Sequence, residues 1–452
     1  MMKTSAGIVS AIVLTCLFWG QVGAAPPGKP SGIPPGQDVE RVSEQKLNPK
    51  QKDRLAQIRG QKENRRAGAV HFKKGFLLDK RGPKDKVRFD LFEDTSVEMA
   101  TRKVGKMGPT NIWEGGNPEG DTHATMVFGD EGVMIGTIRD KGKLYRVRPM
   151  ETPGLHSVQE VNEAVLIEHG DKLPEGGGKK PDKGEPQGPP IRNGSLEGDP
   201  ADQGHPKIVA TGYNGQMTTI RVLVAYTPKV QAKYLYNFGF FTYNGLPSLV
   251  NLAITESNQA FQNTYPLNGW YKIQFQLAGM VKVNYNETSS FDTDLSRLRG
   301  TSDGYMDNVH AIRNSTKADV VVLLRSSGEY CGLGYLYASQ SNAFSVTAEN
   351  CATGYYSFAH EIGHNVGLHH DQAVANNSYF SYGHGFVSNT TGGTYNGPYR
   401  TIMAYGNACN GCPRKQIYSS KYAWATPVRP GTSTANNEAV WRVRGDTVAA
   451  FR

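Results

Sequence analysis

Cysteine is scarce in this chain, with five among 452 residues, and after the first two dozen positions no apolar run is long. A helix that spans a bilayer needs about 20 consecutive apolar residues, so no stable membrane insertion is expected. Acidic residues are outnumbered, 41 against 50 Lys and Arg for a net charge of +9, but the surplus is thinly spread. Over residues 215–452 it is 18 basic minus 13 acidic, or +5. No basic run there is interleaved with aromatics, which argues against nucleic acid as a partner. Hydrophobic residues make up only 38%, low for one close-packed body. The length predicts two folded units, with part of the chain extended, and no internal repeat is present.

Residues 1–24 combine Lys3, an apolar run over 7–19, and Val22 and Ala24 as the small residues before a cleavage point. That is the pattern of a secretory signal peptide, and the run is too short to cross a bilayer. The chain is therefore expected to be secreted and extracellular. Loss of the signal removes Cys16 and leaves Cys331, Cys351, Cys409 and Cys412, an even number that predicts two disulfides in an exported chain. Three pairings are open; Cys331 with Cys351 and Cys409 with Cys412 is preferred because each joins nearest neighbours. A zinc site on Cys409 and Cys412 is the rival, but no second ligand pair stands at finger spacing.

Residues 25–70 are rich in Pro, Gly, Lys and Arg. They read as a polar, basic, solvated N-terminal segment, with one helix over 49–66 that has almost no apolar face. Alternation at 86–92, 124–128, 133–138 and 143–147 predicts a small, mostly β domain over 71–168. Residues 169–214 are charged and rich in Pro and Gly without apolar period, a linker. Such a segment admits a protease more readily than a packed element, so maturation of a precursor is expected here. In 215–452, strands at 220–226, 271–283 and 318–324 alternate with helices at 248–265 and 292–315. The unbroken apolar run of 318–324 suits a central strand buried on both faces, and the order predicts an α/β layer.

Residues 357–371 read SFAHEIGHNVGLHHD. Ser357 is a candidate helix cap, and Phe358, Ile362 and Val366 recur at four-residue intervals on the buried face. His360 and His364 then project together, one turn apart, close enough to hold one zinc ion. Glu361 follows the first ligand and can take a proton from water activated by the metal. Gly367 can end the helix in a left-handed conformation, after which His370 supplies a third nitrogen, with His369 as the alternative. The short His-Glu-x-x-His pattern arises by chance in roughly one such chain in 80, and the longer one with Gly367 and His370 in roughly one in 30,000. The longer motif therefore carries the assignment.

The pattern His360-Glu361-x-x-His364-x-x-Gly367-x-x-His370, followed by Met403 in Thr401-Ile402-Met403-Ala404-Tyr405, resembles the metzincin clan of zinc metallopeptidases. Asp371 after the third histidine is similar to the reprolysin (adamalysin) branch. The Cys331-Gly-Leu-Gly-Tyr start of one segment and the short domain resemble its bacterial, secreted members. The resemblance covers about 215–452. It implies an α/β (α+β) catalytic domain with a twisted mixed sheet and an active-site helix, preceded here by the small, mostly β prodomain. It also implies one catalytic zinc on His360, His364 and His370, Glu361 as catalytic base, and a structural Met403 beneath the ligands; structural calcium is left open. Tyr405 matches the place where astacins and serralysins carry a tyrosine near the metal, from which it would steady an oxyanion.

The resemblance further implies a cleft bordered by an edge strand, expected over 334–337, onto which a protein or peptide substrate adds as another strand. The chain's own propeptide is the expected inhibitor. Several metzincins block zinc with a propeptide cysteine, but Cys16 leaves with the signal, so a carboxylate or steric cover must serve, with 114–121 as the acidic stretch to consider. The function expected is a secreted zinc metalloendopeptidase made as a zymogen. The alternative is a secreted adhesion or binding module that keeps zinc without turnover, and Glu361 discriminates, because hydrolysis needs a base and metal binding does not.

Overall fold

A computed structural model of the chain describes residues 38–72, 78–79, 82–118, 120–129, 133–167, 217–264, 271–326, 328–375, 378–389, 397–422 and 430–452. The expected signal peptide and the whole of the expected linker lie outside the described residues.

Nine strands close a barrel. Lys86–Phe92, Thr95–Met107, Thr110–Gly116, Thr122–Phe128, Met134–Asp140, Lys143–Pro149 and Leu155–Val161 follow one another as an antiparallel meander. Leu155–Val161 then pairs with Asn64–Phe72, which pairs with Val39–Val42. The pairing of Val39 with Phe89 closes the ring. Phe89, Trp113, Met126, Ile138, Tyr145 and Val158 are among the side chains that fill it.

The segment 25–70, expected to be solvated, is thus folded from Asp38 onward, and the helix within it is shorter than 49–66. Pro49–Arg59 is helical, with Asn48 and Gln51 forming a capping box, and Gln51, Leu55 and Ile58 are buried. The chain then turns into Asn64–Phe72, where Val70 and Phe72 face into the barrel and Ala67 and Ala69 pack on the other side against Leu55 and Ile58 of the helix. Arg65 and Arg66 beside them gave the stretch its polar look. Arg66 reaches Glu160 at 2.7 Å and its guanidinium lies 4.0 Å from the centre of the Phe92 ring.

The second half carries a five-stranded sheet in the order Ile273–Lys282, Thr218–Tyr226, Val320–Arg325, Phe344–Ala348, Gly332–Gly334. The first four strands are parallel and the last is antiparallel, so the sheet is mixed. Val320–Arg325 is its centre and every residue in it is buried, as its apolar run predicts. The helix expected over 248–265 runs Leu246–Asn263. The one expected over 292–315 is two, Phe291–Arg299 and Asn308–Ser315. Between them Gly304 and Met306 have positive φ, and Asp307 accepts from the amides of Asp303 and Gly304; this turn chemistry competes with the helix.

Barrel and sheet domain share one core. Ile112, Val127, Val133 and Ile135 pack in the same cluster as Leu246, Leu249, Val250 and Ala253 of the long helix. Strand Met134–Asp140 is therefore buried on both faces, Met134 and Ile138 into the barrel and Ile135 toward that helix. Polar pairs stitch the same junction: Asn251 Nδ2 donates to Thr110 at 2.9 Å, Arg139 Nη2 to Gly354 O at 2.8 Å, and the Thr137 hydroxyl to Glu256. No described helix is long and apolar enough to cross a membrane.

Candidate metal centre

The helix Ser357–Val366 carries the motif, and all ten of its residues are buried. Phe358, Ile362 and Val366 join the shared core, so the opposite side of the helix presents His360 and His364. Ser357 does not cap the helix. Tyr356 stands at the cap position with φ +63°, and Ser357 is the first helical residue, its amide donating to Cys351 O at 3.2 Å. At the other end Gly367 has φ +114°, a conformation in which a side chain is strained, and a Cβ there would meet Tyr337 at 2.8 Å. The turn it allows brings His370 back to the helix.

His360, His364 and His370, all fully buried, form the one group of three metal-ligating side chains found among the described residues. The Nε2 atoms of His360 and His370 each lie 3.0 Å from Nε2 of His364. Nδ1 of His360 is 2.9 Å from Ile402 O, and Nδ1 of His364 is 2.8 Å from Leu368 O. A carbonyl can only accept, so both Nδ1 atoms carry the proton, and both Nε2 atoms present lone pairs. Lone pairs converging this closely suit a shared cation, and neutral imidazole is what zinc binds. The three residues fit the metal. His369 is not of this group, since its Nδ1 accepts from the His370 amide at 2.8 Å.

Glu361 is buried beside the edge strand, where a Cβ on Gly332 would come within 2.3 Å of its Oε1. The edge strand is Gly332–Gly334 rather than 334–337. Tyr337 has φ +53°, and the amides of Tyr337 and Ala338 donate to His364 O and Asn365 O, so the chain leaves the sheet for the end of the helix.

Met403 is fully buried, with its Sδ 2.9 Å from where a Gly363 Cβ would stand. Asp371 accepts from the Tyr405 amide at 2.8 Å, tying the third-histidine turn to the methionine turn. The Tyr405 ring packs 4.1 Å from that of His370. Cys331 is joined to Cys351 and Cys409 to Cys412. Of the acidic stretch 114–121, Glu114 pairs with Lys103 at 3.7 Å, and Asp121 bonds Asn117 and Thr122; no described contact takes either to the histidines.

Two supports escaped the sequence. His384 Nδ1 donates to His370 O at 2.9 Å, and a lone histidine fourteen residues on gives no pattern to read. Arg400 donates to Ala404 O at 2.8 Å and Cys412 O at 3.1 Å, bracing the methionine turn; only its place just before that turn marked it.

The family model for metallo-peptidase family M12 matches residues 216–414. A peptidyl-Asp metalloendopeptidase of Stenotrophomonas maltophilia (strain K279a) is 40% identical over 71% of this chain and 68% of its own length. One of Xanthomonas campestris pv. campestris is 35% identical over 82% of this chain and 83% of its own. One of Pseudomonas fragi is 34% identical over 44% of this chain and all of its own. With the metal-ligating group in place and relatives matching across most of its length, the chain belongs to the M12 metallopeptidases and is a metzincin-type zinc metalloendopeptidase.

Proposed function

We propose that this endopeptidase is exported as a precursor, holds zinc on His360, His364 and His370, uses Glu361 as general base, and cuts proteins at aspartyl residues as its relatives' names state of them. The observation that carries the site is the convergence of three Nε2 atoms with two Nδ1 protons held by carbonyls. Zinc, when bound, supplies a Lewis acid that polarises the scissile carbonyl and acidifies water. Glu361, enclosed between helix and edge strand, takes the proton of the attacking water and returns it to the leaving amine. Ile402 O and Leu368 O keep the imidazoles oriented. Tyr405, packed on His370, donates to the developing oxyanion, and Met403 is structural.

An extended substrate adds to the free edge of Gly332–Gly334. The reading of the barrel as inhibitory prodomain is supported by Cys331, at the start of that edge, whose amide donates to Ile167 O at 2.9 Å. The chain leaving the barrel thus already touches the cleft border. Cleavage within 169–214 is the proposed maturation step, and the signal at 1–24 the route of export; two disulfides agree with an oxidising destination.

Glu361→Gln tests the mechanism. Its zinc content should match the wild type while peptide hydrolysis falls on the order of 10² to 10⁴-fold. His364→Ala should lose the metal as well, and 1,10-phenanthroline should abolish wild-type activity. A zinc-loaded Gln variant with near-normal turnover refutes the base assignment.

A further inference from the structure

Three cations flank the methionine turn, Arg400 before it and Arg414 and Lys415 after it, and all are buried. Residues 413–417 run parallel to 400–402: Arg400 N donates to Pro413 O at 3.0 Å, Lys415 N to Arg400 O at 2.7 Å, and Ile402 N to Ile417 O at 3.0 Å. The same strip is fastened along the first half of the active-site helix. Arg414 Nη1 donates to Tyr355 O at 2.8 Å, and the Tyr418 hydroxyl to Ala359 O at 3.3 Å, one residue before His360. The guanidiniums of Arg400 and Arg414 lie 5.2 and 4.4 Å from the centre of the Tyr355 ring.

The chain leaving the barrel joins this group to the edge strand. The Tyr355 hydroxyl donates to Leu166 O at 3.1 Å, and the next carbonyl, Ile167, accepts from Cys331 beside the edge strand. Two consecutive residues thus bridge the cation group and the strand onto which substrate adds.

We propose that Arg400, Arg414 and Lys415 form the subsite that selects a carboxylate side chain next to the scissile bond. This rests on the reading of the enzyme as one that cuts at aspartyl residues. A carboxylate entering a water-poor wall loses its hydration and is accepted only where cations and donors replace it. A guanidinium meets it with two parallel donors and an ammonium with one compact charge. The uncharged isostere Asn gains neither.

The three cations divide the work. Arg400 spends its nitrogens on Cys412 O, Ala404 O and the Tyr355 hydroxyl, so it holds the wall in place. Arg414, whose Nη1 holds Tyr355 O, and Lys415 lie on the strip that the barrel hairpin abuts, and these two set the specificity. Burial and the neighbouring Arg139 charge bring the Lys415 ammonium down to about 8, opposed by Asp121 and Glu163 of the barrel. At neutral pH it remains mostly charged. The barrel hairpin also abuts the strip, since a Cβ on Gly142 would lie 2.9 Å from Pro413 Cγ. In the precursor, then, the barrel packs against the strip that carries the subsite.

The test uses enzyme matured from the full chain and two peptides that differ only by Asp or Asn at the cleavage position. The ratio of their kcat/KM values should be at least ~100 in the wild type. A peptide carrying cysteic acid, a different anion, should be cut in preference to the Asn peptide. In Arg414→Gln/Lys415→Met the ratio should fall to within about 3-fold of one. A merely structural role lowers both rates together and leaves the ratio unchanged, which overturns the subsite. Should the double variant fail to fold, Lys415→Glu alone, at the least enclosed of the three positions, should lower the ratio at least ~10-fold, and an unchanged ratio overturns the subsite equally. A wild type that cuts both peptides alike overturns the aspartyl reading itself and the subsite with it. A wild-type preference that survives the substitutions overturns the subsite alone.

Discussion

Gly332→Ala adds one methyl group to the edge strand, and the cost falls on Glu361. The new Cβ would lie 2.3 Å from Oε1 and 2.5 Å from both Cδ and Cγ, where ordinary contact is 3.4–4 Å. All three atoms belong to one side chain, so rotating the carboxylate about its last bond relieves only part of the clash. Glu361 is 1% exposed and cannot swing into solvent. The helix that bears it cannot retreat either, with Gly363 against Met403 on its other side. The carboxylate must therefore shift by about 1 Å, a displacement that typically costs a catalytic group on the order of 10²-fold in rate. The three imidazoles are not touched, so zinc should remain. Overpacking of this kind destabilises by about 1 to 3 kcal/mol, a tolerable loss for folding. The assay is kcat on a saturating peptide, with zinc counted by elemental analysis and folding followed by thermal melting. A folded, zinc-loaded Gly332→Ala enzyme with kcat within about 3-fold of wild type would show that the base does not stand where the proposed mechanism requires it.

Two further outcomes follow from other parts of the molecule. Replacing Cys331 and Cys351 by Ser opens a cross-link between residues 20 apart, which should lower stability by about 3 kcal/mol in denaturant titrations; an unchanged midpoint contradicts it. Burial pushes the Glu256 carboxyl up to about 7, outweighing the Thr137 hydroxyl and the Gly354 amide that favour its charged form. For an acid with a raised pKa, stability is fully present below its ordinary value of 4.5 and is lost as pH climbs through 7, a shift of 2.5 worth about 3 kcal/mol. Glu256→Gln should therefore gain in melting temperature over wild type as pH rises from 4.5 to 8, and a difference that stays flat with pH refutes the assignment.

The parts of the molecule legible in the sequence are those whose physics is local. The two histidines sit one turn apart because a helix has 3.6 residues per turn, and Phe358, Ile362 and Val366 declare which face is buried. Gly367 signals the turn to His370 by being the residue that tolerates φ +114°. The run over Val320–Arg325 declares a strand covered on both sides. The barrel's beginning failed this test, because Val39–Val42 and Asn64–Phe72 bury alternate small or apolar residues among arginines. Their partners, Phe89 and strand Leu155–Val161, lie tens of residues away.

The same distinction explains why the walls of the site were harder to read than its ligands. A glycine is needed at 332 because Glu361 occupies the space its side chain would take, and a glycine at 363 because Met403 approaches there. Neither position requires positive φ, so no turn or cap announces it, and each looks like any other glycine among 52. The edge strand stops at Gly334 because the amides of Tyr337 and Ala338 are taken by His364 O and Asn365 O, carbonyls that lack their regular helical donors because the helix ends at Gly367. The strand boundary is thus set by the helix terminus, and the helix terminus by the requirement to return His370. One glycine therefore fixes both the third ligand and the length of the edge onto which a substrate adds. Gly367→Ala should for that reason raise both the zinc Kd and the peptide KM, through strain at φ +114° and through the approach of its new Cβ to Tyr337 at 2.8 Å; a variant that changes only one of them would contradict the coupling.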